Sequence, residues 1–293
     1  MYDIIIIGAG PAGLTAALYA LRANKKILIF EAKTYGGQIL AANKIENYPG
    51  IDSISGYDFA TNLYNQVSNL GAEFKFESVL RIDDDNAVIT KDGKYYAKAI
   101  ILAIGSKNRK LNIAKETEFT GKGVSYCATC DGNFYKNKDV ALVGGGNTAL
   151  EDAIYLSDIV NKVYLIHRKD SFRAEEKYQE ELKNKSNIEV IMNANIIKLN
   201  GENRLESIDL DNGMNISVDG LFIAVGQEPN NEIFSNIVDL NEKGYIKSID
   251  GVHTNKKHIY VAGDAREKML RQLVTAESDG AIAATTAIRE MED

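Results

Sequence analysis

The sequence predicts an α/β fold made of two similar domains, with the second domain inserted into the first. An apolar strand, a glycine-rich turn and an amphipathic helix occur at the N-terminus, and the same succession recurs near residue 140. Later in each copy, another apolar run stops at a glycine. A length of 293 residues suits two domains that each bury their own core.

The first copy begins with the apolar run from Ile4 to Ile7. Such a run is typical of a parallel strand buried on both faces. The turn Gly8-Ala9-Gly10-Pro11-Ala12-Gly13 follows, residues 12–22 carry apolar side chains at helical spacing, and a second strand, 26–30, ends at Glu31. Strand, turn, helix and strand within roughly 30 residues predict a Rossmann-like domain.

The second copy repeats this order with a strand at 139–143, a turn at 144–146, a helix at 148–156 and a strand at 162–166. The glycine-stopped runs at 99–105 and 220–226 complete the two copies. A last segment contains a strand at 258–262 and a helix at 273–291. We predict a first domain formed by residues 1–108 and 239–293, with a second domain at 109–238 inserted between them.

Both glycine-rich turns follow a strand and open a helix, so their backbone N–H groups are expected to point at a pyrophosphate. In the first copy, the second strand ends at Glu31, whose carboxylate suits the ribose hydroxyls of FAD or NAD. The second copy has a basic segment at the same place, which suits the 2'-phosphate of NADPH. A solvated basic surface is the alternative. The predicted binding residues are Gly8, Gly10, Pro11, Ala12, Gly13 and Glu31 in the first copy, and Gly144, Gly146, Asn147, Thr148, Arg168, Lys169 and Arg173 in the second, with His167 flanking the site.

Gly263-Asp264 after an apolar strand is a further candidate, because a carboxylate there can bind the ribityl hydroxyls of a flavin. The same dipeptide is also a common turn, so its sequence leaves both interpretations open.

The two cysteines of the chain, Cys127 and Cys130, lie three residues apart. This spacing predicts a dithiol that opens and closes as a disulfide. Asp131 beside it is a candidate proton donor or acceptor, with a cap or turn role as the alternative. A structural zinc needs four ligands, whereas the chain has no second cysteine pair and its histidines are unclustered. We therefore predict no metal.

The net charge of -7, with Lys and Arg spread along the chain, argues against nucleic acid or an anionic membrane as partner. No apolar stretch approaches the roughly 18 to 20 residues that span a bilayer. The N-terminus leads directly into a strand, without the basic region of a signal peptide. Few cysteines favour a reducing compartment, and we expect a cytoplasmic protein.

Taken together, these motifs resemble the low-molecular-weight thioredoxin reductases, which are FAD- and NADPH-dependent flavoproteins, over nearly the whole chain. Besides the two glycine-rich turns, the resemblance is carried by Gly36-Gly37-Gln38, Glu46-Asn47-Tyr48-Pro49-Gly50, Cys127-Ala128-Thr129-Cys130-Asp131, His167-Arg168-Lys169-Asp170-Ser171-Phe172-Arg173, Ala262-Gly263-Asp264 and Arg271-Gln272. It implies FAD on the outer domain, NADPH on the inserted domain, thioredoxin as partner and a homodimer. It also implies further cofactor-binding residues: Gly37, Gln38, Asn47, Gly105, Gly263, Asp264, Arg271 and Gln272.

By this resemblance Cys130 faces the flavin, Cys127 attacks the thioredoxin disulfide, and Asp131 is the acid/base. The resemblance also implies rotation of the inserted domain about linkers near 107–120 and 229–241. The basic pair is Arg168-Lys169 where the family often has two arginines, which predicts a softer NADPH preference. Two alternatives stay open: a ferredoxin-dependent reductase with a vestigial second nucleotide site, and a non-enzymatic flavin or redox sensor.

Overall fold

The computed structural model describes residues 1–42 and 44–292, and of residue 41 the backbone alone. The strands are β1 (Tyr2–Ile7), β2 (Ile27–Phe30), β3 (Glu73–Lys75), β4 (Val79–Ile82), β5 (Val88–Thr90), β6 (Gly93–Tyr95), β7 (Ala97–Leu102), β8 (Ser106–Asn108), β9 (Val124–Ser125), β10 (Asp139–Gly144), β11 (Lys162–His167), β12 (Ile188–Met192), β13 (Ile196–Asn200), β14 (Ser207–Leu210), β15 (Asn215–Ser217), β16 (Gly220–Ala224), β17 (Gln227–Pro229) and β18 (Ile259–Val261). The helices are α1 (Pro11–Arg22), α2 (Gly56–Asn69), α3 (Glu116–Phe119), α4 (Ala128–Asp131), α5 (Asn147–Ser157), α6 (Glu176–Lys183) and α7 (Leu273–Glu292). Short 3-10 turns lie at Gly37–Ala41, Gly132–Tyr135, Glu232–Phe234 and Gly263–Ala265.

The chain forms two compact units, one of residues 1–107 and 228–293 and the other of residues 108–227. The sequence placed the return to the first domain later, at 239. Phe234, Ile237 and Val238 account for the difference, because they are buried in the core of the first unit. Apolar burial, rather than the turn signal at Pro229, therefore decides where the first unit resumes. The two crossings, β8 and β17, pair with each other.

The first unit is built on a parallel five-stranded sheet in the order β18-β7-β1-β2-β3. Ile4 and Ile6 of β1 pack on one face against α1, α2 and α7. Ile5 and Ile7 pack on the other face with β4, β5 and residues 234–246. The prediction of a strand buried on both faces is confirmed.

The second unit repeats this architecture in a parallel sheet ordered β12-β11-β10-β16-β9. Val140 and Leu142 of β10 pack with α5, whereas Ala141 and Val143 pack with β13, β14 and β15. β16 lies beside β10 as β7 lies beside β1. The glycine-stopped runs recognised in the sequence therefore occupy equivalent places, and the predicted α/β fold with two Rossmann-like domains is confirmed.

Each glycine-rich turn follows the strand at which the sheet order reverses. From β1 the chain goes to β2 and β3 on one side and then to β7 on the other. In such sheets, ligands bind at the carboxyl ends of the strands at this switch point. Among the described residues, no helix combines the length and apolar character needed to cross a membrane.

Candidate functional site

The first glycine-rich turn packs tightly at two glycines and is open at the third. Gly8 has a φ of +108°, and a Cβ there would lie 2.4 Å from the carbonyl oxygen of Ala103. A Cβ on Gly13 would lie 1.9 Å from the carbonyl oxygen of Gly8. Gly10 has nothing within 4 Å of its Cβ position, and no side chain caps the start of α1 behind it. A pyrophosphate can therefore approach the backbone at Gly10 and the first N–H groups of the helix.

The first residues of α1 are fixed by glycines from the C-terminal part of the chain. Pro11 takes the first helical position, where a missing N–H costs nothing. A Cβ on Gly280 would lie 2.1 Å from the carbonyl oxygen of Ala12, and one on Gly263 would lie 2.8 Å from the Ala12 Cβ. The side chain of Ala12 is therefore a packing contact, and only its backbone is left to face a ligand.

Glu31 follows β2 with its carboxylate hydrogen-bonded to two backbone N–H groups. Its Oε2 accepts a bond from Ala9 N at 2.9 Å, and its Oε1 accepts one from Lys33 N at 2.9 Å. Each carboxylate oxygen has a second acceptor position, so ribose hydroxyls can still bind. The residue predicted to bind ribose thus also holds the glycine-rich turn in place.

Asp264 carries a buried oxygen that is not hydrogen-bonded. Its Oδ1 is shielded from solvent and has no partner. Burial raises the pKa of Asp264, while the positive charges of Lys268 and Arg271 oppose that rise. An unsatisfied buried acceptor in a native fold calls for a donor. The hydroxyl groups of a ribityl chain fit that requirement.

Asp279 of α7, which the sequence did not single out, holds the turn before Asp264. It is 5% exposed and accepts hydrogen bonds from Gly263 N at 3.1 Å, Arg266 Nε at 2.9 Å and Lys268 Nζ at 2.7 Å. Burial by itself would raise the pKa of Asp279, but the hydrogen bonds from Arg266 and Lys268 outweigh it and lower that pKa. An Asp in the middle of a helix carries no sequence signal for such a role.

Three further predicted residues lie on loops of the first unit. Gly37 has a φ of +60°, and its Cβ position is 3.4 Å from the Cα of Gly10. Gln38 donates from Nε2 to the carbonyl oxygen of Ser106 at 2.7 Å. Gly105 has a φ of +66° and open space around its Cβ position. The structure thus brings Gly37 next to the open glycine of the first turn.

The remaining predicted residues of this unit form two side-chain contacts. Asn47 donates from Nδ2 to Oε1 of Gln272 at 3.0 Å. The guanidinium of Arg271 lies 4.1 Å over the ring of Tyr245, and its Nε is buried without a hydrogen-bond partner. Asn47 and Gln272, which lie far apart in the sequence, are therefore brought together by the fold.

The second glycine-rich turn has the same division between packing and open glycines. A Cβ on Gly144 would lie 2.5 Å from the Cβ of Ala149, and one on Gly145 would lie 2.1 Å from the ring of His167. Gly146, directly before α5, has nothing within 4 Å and its helix start has no side-chain cap. Gly145 was missed in the sequence because its need for glycine arises from a residue twenty-two positions later.

His167 lies beneath the second turn. It is 5% exposed, its Nε2 donates to the carbonyl oxygen of Ser171 at 3.0 Å, and its ring lies 5.3 Å from that of Phe172. The imidazole therefore shapes the loop that follows β11.

The three predicted cations lie on this loop with their charged groups exposed. The backbone N of Arg173 donates to the carbonyl oxygen of Gly145 at 2.8 Å, which fixes the loop beside the turn. The side chains of Arg168, Lys169 and Arg173 are exposed. Within residues 1–42 and 44–292, none of them is recorded in a hydrogen bond or ion pair. They are available to an anionic group.

Asn147 and Thr148 start α5 in different ways. Asn147 donates from Nδ2 to Oε1 of Glu175 at 2.7 Å and accepts from Glu175 N at 2.9 Å. Thr148 is exposed in the first turn of the helix. The side-chain amide of Asn147 therefore holds Glu175, directly before α6, against the start of α5. The glycine-rich motif alone did not indicate this role.

Cys127 and Cys130 form a disulfide, with their Cα atoms 5.3 Å apart. Cys127 precedes α4, and its Sγ accepts a hydrogen bond from Cys130 N at 3.2 Å. Both cysteines are partly exposed. The i, i+3 spacing thus places both sulfurs on one turn, accessible to an exchanging thiol.

Asp131 is half-buried beside this disulfide. It accepts a hydrogen bond at 2.6 Å from Ser125 Oγ, and Ser125 in turn accepts one from Cys127 N at 3.0 Å. Burial raises the pKa of Asp131, and the bond from Ser125 opposes that rise. A carboxyl with a raised pKa next to a dithiol can exchange protons nearer to neutral pH.

Glu116 is a buried carboxylate that sequence reasoning missed. It is 1% exposed and accepts hydrogen bonds from Leu111 N at 3.0 Å, Asn112 N at 2.8 Å and Tyr126 Oη at 2.7 Å. It therefore connects the start of the second unit to the residue before Cys127. A lone acidic residue in a predicted linker offers no sequence signal for this contact.

Comparison with known proteins identifies the family. The sequence pattern of the pyridine nucleotide-disulphide oxidoreductases matches residues 2–280. The chain belongs to this family. Membership makes it an oxidoreductase that uses a flavin and a pyridine nucleotide. Among the described residues, no group of three or more His, Cys, Asp or Glu side chains is placed to hold a metal ion.

Within this pyridine nucleotide-disulphide oxidoreductase family, several similar proteins are named thioredoxin reductase. That of Mycoplasma genitalium is 40% identical over 303 residues, which cover 100% of this chain and 95% of that protein. That of Bacillus subtilis is 38% identical over 302 residues, which cover 100% and 96%. The crystal structure of thioredoxin reductase from Streptococcus pyogenes MGAS5005 superposes with a TM-score of 0.95 at 37% identity, covering 100% of this chain and 98% of that one. The resemblance stated from the motifs is confirmed.

Proposed function

We propose that this chain is an NADPH-dependent thioredoxin reductase, in which electrons pass through FAD and the Cys127–Cys130 disulfide to oxidised thioredoxin. The observation that carries the proposal is the partly exposed disulfide with the half-buried carboxyl of Asp131 beside it. Its place in a family of disulfide oxidoreductases, among relatives named thioredoxin reductase, supports thioredoxin as the partner.

The first unit offers features that fit FAD. The open backbone at Gly10 and the uncapped start of α1 suit the pyrophosphate, and Glu31 suits the adenosine ribose. The unsatisfied Oδ1 of Asp264 suits a ribityl hydroxyl. By the resemblance we assign the remaining residues of this unit to the same cofactor: Gly37, Gln38, Asn47, Gly105, Arg271 and Gln272.

The second unit offers features that fit NADPH. The open backbone at Gly146 and the uncapped start of α5 suit a pyrophosphate. The exposed cations Arg168, Lys169 and Arg173 suit the 2'-phosphate that distinguishes NADPH from NADH. When the cofactors are bound, NADPH supplies a hydride and FAD carries its two electrons onward.

The dithiol then performs two exchange steps. Two electrons and one proton open the Cys127–Cys130 disulfide to a Cys127 thiolate and a Cys130 thiol, and the Cys127 thiolate attacks one sulfur of the thioredoxin disulfide. That attack forms a mixed disulfide and releases the second thioredoxin sulfur as a thiolate. Cys130 next attacks Sγ of Cys127, which restores the internal disulfide and releases reduced thioredoxin. Asp131 takes the proton from Cys130 and passes it to the departing sulfur.

An anaerobic titration of the purified protein tests this proposal. The protein is expected to show a flavin spectrum that NADPH bleaches at lower concentration than NADH. Oxidised thioredoxin should then restore the spectrum. Cys130→Ser should still allow bleaching by NADPH but abolish thioredoxin turnover, because the mixed disulfide cannot be resolved.

Other outcomes of the same titration contradict parts of the proposal. Bleaching of the flavin by reduced ferredoxin but not by NADPH would show that ferredoxin, and not NADPH, is the electron donor. A protein without flavin would overturn the whole proposal. Flavin and a redox-active disulfide without any thioredoxin reduction would favour a sensor.

We also infer a homodimer from the resemblance. Size-exclusion chromatography with light scattering is expected to give twice the mass of the 32.2 kDa chain, and a monomer at micromolar concentration would contradict it.

A further inference from the structure

We propose that Ser125 is a positioning residue of the disulfide exchange, which holds the Asp131 carboxylate beside the dithiol and ties it to the backbone of Cys127. The inference rests on the proposed function, because the exchange in question is the one with a protein disulfide. It goes further by adding a residue outside the C-x-x-C-D motif.

The contacts of Ser125 connect the two parts of the dithiol site. Its Oγ donates to Asp131 Oδ2 at 2.6 Å and accepts from Cys127 N at 3.0 Å. One hydroxyl thus uses its proton on the acid/base and a lone pair on the residue that carries the attacking sulfur.

The scaffold holds Ser125 rigidly. It is 4% exposed and ends β9, where it pairs with Phe222 of β16 in the central sheet of the second unit. Phe222 is itself 1% exposed. The hydroxyl therefore starts from a fixed backbone position, which is what a positioning residue requires.

The surroundings of Asp131 make the hydroxyl of Ser125 important for keeping the carboxylate charged. Burial disfavours the charged form of Asp131 and raises its pKa, whereas the hydrogen bond from Ser125 favours the charged form and opposes that rise. The other titratable groups nearby are the two cysteines and Tyr135 of the following turn. Burial, followed by the charges of Asp131 and Asp219, raises the pKa of Tyr135 to about 12, so that its phenol is neutral during exchange. No cation among the described residues balances Asp131.

The sign of the expected effect follows from these contacts. Exchange needs Asp131 ionised in order to take the proton from Cys130, so its rate falls as the pH drops through the pKa of Asp131. Without Ser125 the carboxylate loses its donor and that pKa rises. A hydrogen bond to a charged group is worth about one to two pKa units, so the rate should fall about ten- to a hundredfold below the shifted pKa. At alkaline pH the rate should change little.

The test compares the holoenzyme with Ser125→Ala, Ser125→Thr and Asp131→Asn. Each variant, reduced by NADPH, is mixed rapidly with oxidised thioredoxin, and reoxidation is followed from pH 5 to pH 9. In the plot of rate against pH, Ser125→Ala should shift the acid limb, where the rate falls as the pH drops, to higher pH by about one to two units. Ser125→Thr should restore the wild-type limb, and Asp131→Asn should remove the limb. Ser157→Ala is the matched control, since it removes a buried hydroxyl of the same unit that donates to the carbonyl oxygen of Ile154.

A wild-type pH profile in Ser125→Ala would overturn the inference, as would an equal loss of rate at every pH that threonine does not rescue. A second readout applies if the alanine variant is poorly folded or if thioredoxin is not the substrate. The Cys127–Cys130 pair is equilibrated with dithiothreitol at each pH, and its thiols are counted by maleimide labelling. The fraction of reduced Cys127–Cys130 pair is then plotted against pH. The slope of this plot should change at the same pH in the wild type and Ser125→Thr, and Asp131→Asn should show no such change. If the variants follow these expectations with dithiothreitol but the wild type fails to reduce thioredoxin, the proposed function fails while the role of Ser125 stands. If Asp131→Asn matches the wild type in both readouts, the inference fails.

Discussion

At the scale of single residues, the two glycine-rich turns separate packing from binding. Gly10 and Gly146 each precede a helix with nothing within 4 Å of the Cβ position, whereas their neighbours would collide with the chain. Both open glycines have an extended backbone, with ψ of -179°. A side chain at either position therefore tests ligand approach without backbone strain.

Gly146→Ala is expected to weaken NADPH binding at least tenfold while costing about 1 kcal/mol or less in stability as a poorer helix cap. Gly145→Ala is the contrast, because its Cβ would overlap the ring of His167 at 2.1 Å and should destabilise the fold by about 1 to 3 kcal/mol. NADPH dissociation constants and urea unfolding of both variants give the two readouts. Unchanged NADPH affinity in folded Gly146→Ala would show that the pyrophosphate does not approach there.

Arg168 and Arg173 are expected to decide between NADPH and NADH. Charge-assisted hydrogen bonds contribute about 1.5 to 3 kcal/mol each, so replacing both arginines by alanine should raise the Michaelis constant for NADPH by about a hundredfold or more. The constant for NADH should stay within about threefold, because NADH lacks the phosphate that these cations contact. Steady-state kinetics with both nucleotides measures this difference. Lys183→Ala, which removes an exposed cation from α6 of the same unit, is the control. Equal effects on the two nucleotides would show the arginines to be solvated surface.

At the scale of elements, α5 begins without a side-chain cap and carries an unfavourably buried carboxyl group, that of Asp152, in its middle. Its first residues face the proposed pyrophosphate site, while Asp152 is partly buried. Burial, followed by the charge of Glu151, raises the pKa of Asp152 to about 7. The helix therefore carries a carboxyl that prefers to be neutral in the folded state.

Asp152→Asn is expected to stabilise the protein at alkaline pH. Because the folded pKa lies above the unfolded value, the wild type loses stability as the pH rises from about 4 through 7. The amide should avoid that loss and gain about 1 to 4 kcal/mol at pH 8, with little gain at pH 4. Urea unfolding at the two pH values measures the difference. Glu151→Gln should give a smaller gain of the same sign, and a pH-independent effect of Asp152→Asn would contradict the cause.

At the scale of the whole molecule, each unit has its own parallel sheet with cores on both faces. The first unit takes β1 and β7 from the N-terminal part and β18 and α7 from the C-terminal part. The second unit is continuous, from residue 108 to residue 227. The aliphatic side chains of β10 supply both of its cores.

A fragment of residues 108–227 is therefore expected to fold alone. A domain of this size can bury a sufficient core, and the described strands of its sheet all come from the fragment itself. Far-UV circular dichroism should show one cooperative thermal transition, and the fragment should bind NADPH. A fragment of 1–107, which lacks β18 and α7, is the control and should not unfold cooperatively. A non-cooperative transition in the 108–227 fragment would show that its cores depend on the first unit.

The sequence by itself determined the order of the elements, the repeat of the two copies, the dithiol and the family. These follow from local properties: hydrophobic periodicity, the glycines that open the helices, and the spacing of Cys127 and Cys130. Only the tertiary structure decided which glycines are open, where the first unit resumes, and that Ser125 and Glu116 support the dithiol segment. Each of those depends on contacts between residues distant in the sequence or on how deeply a side chain is buried, and neither leaves a periodic signal in the sequence.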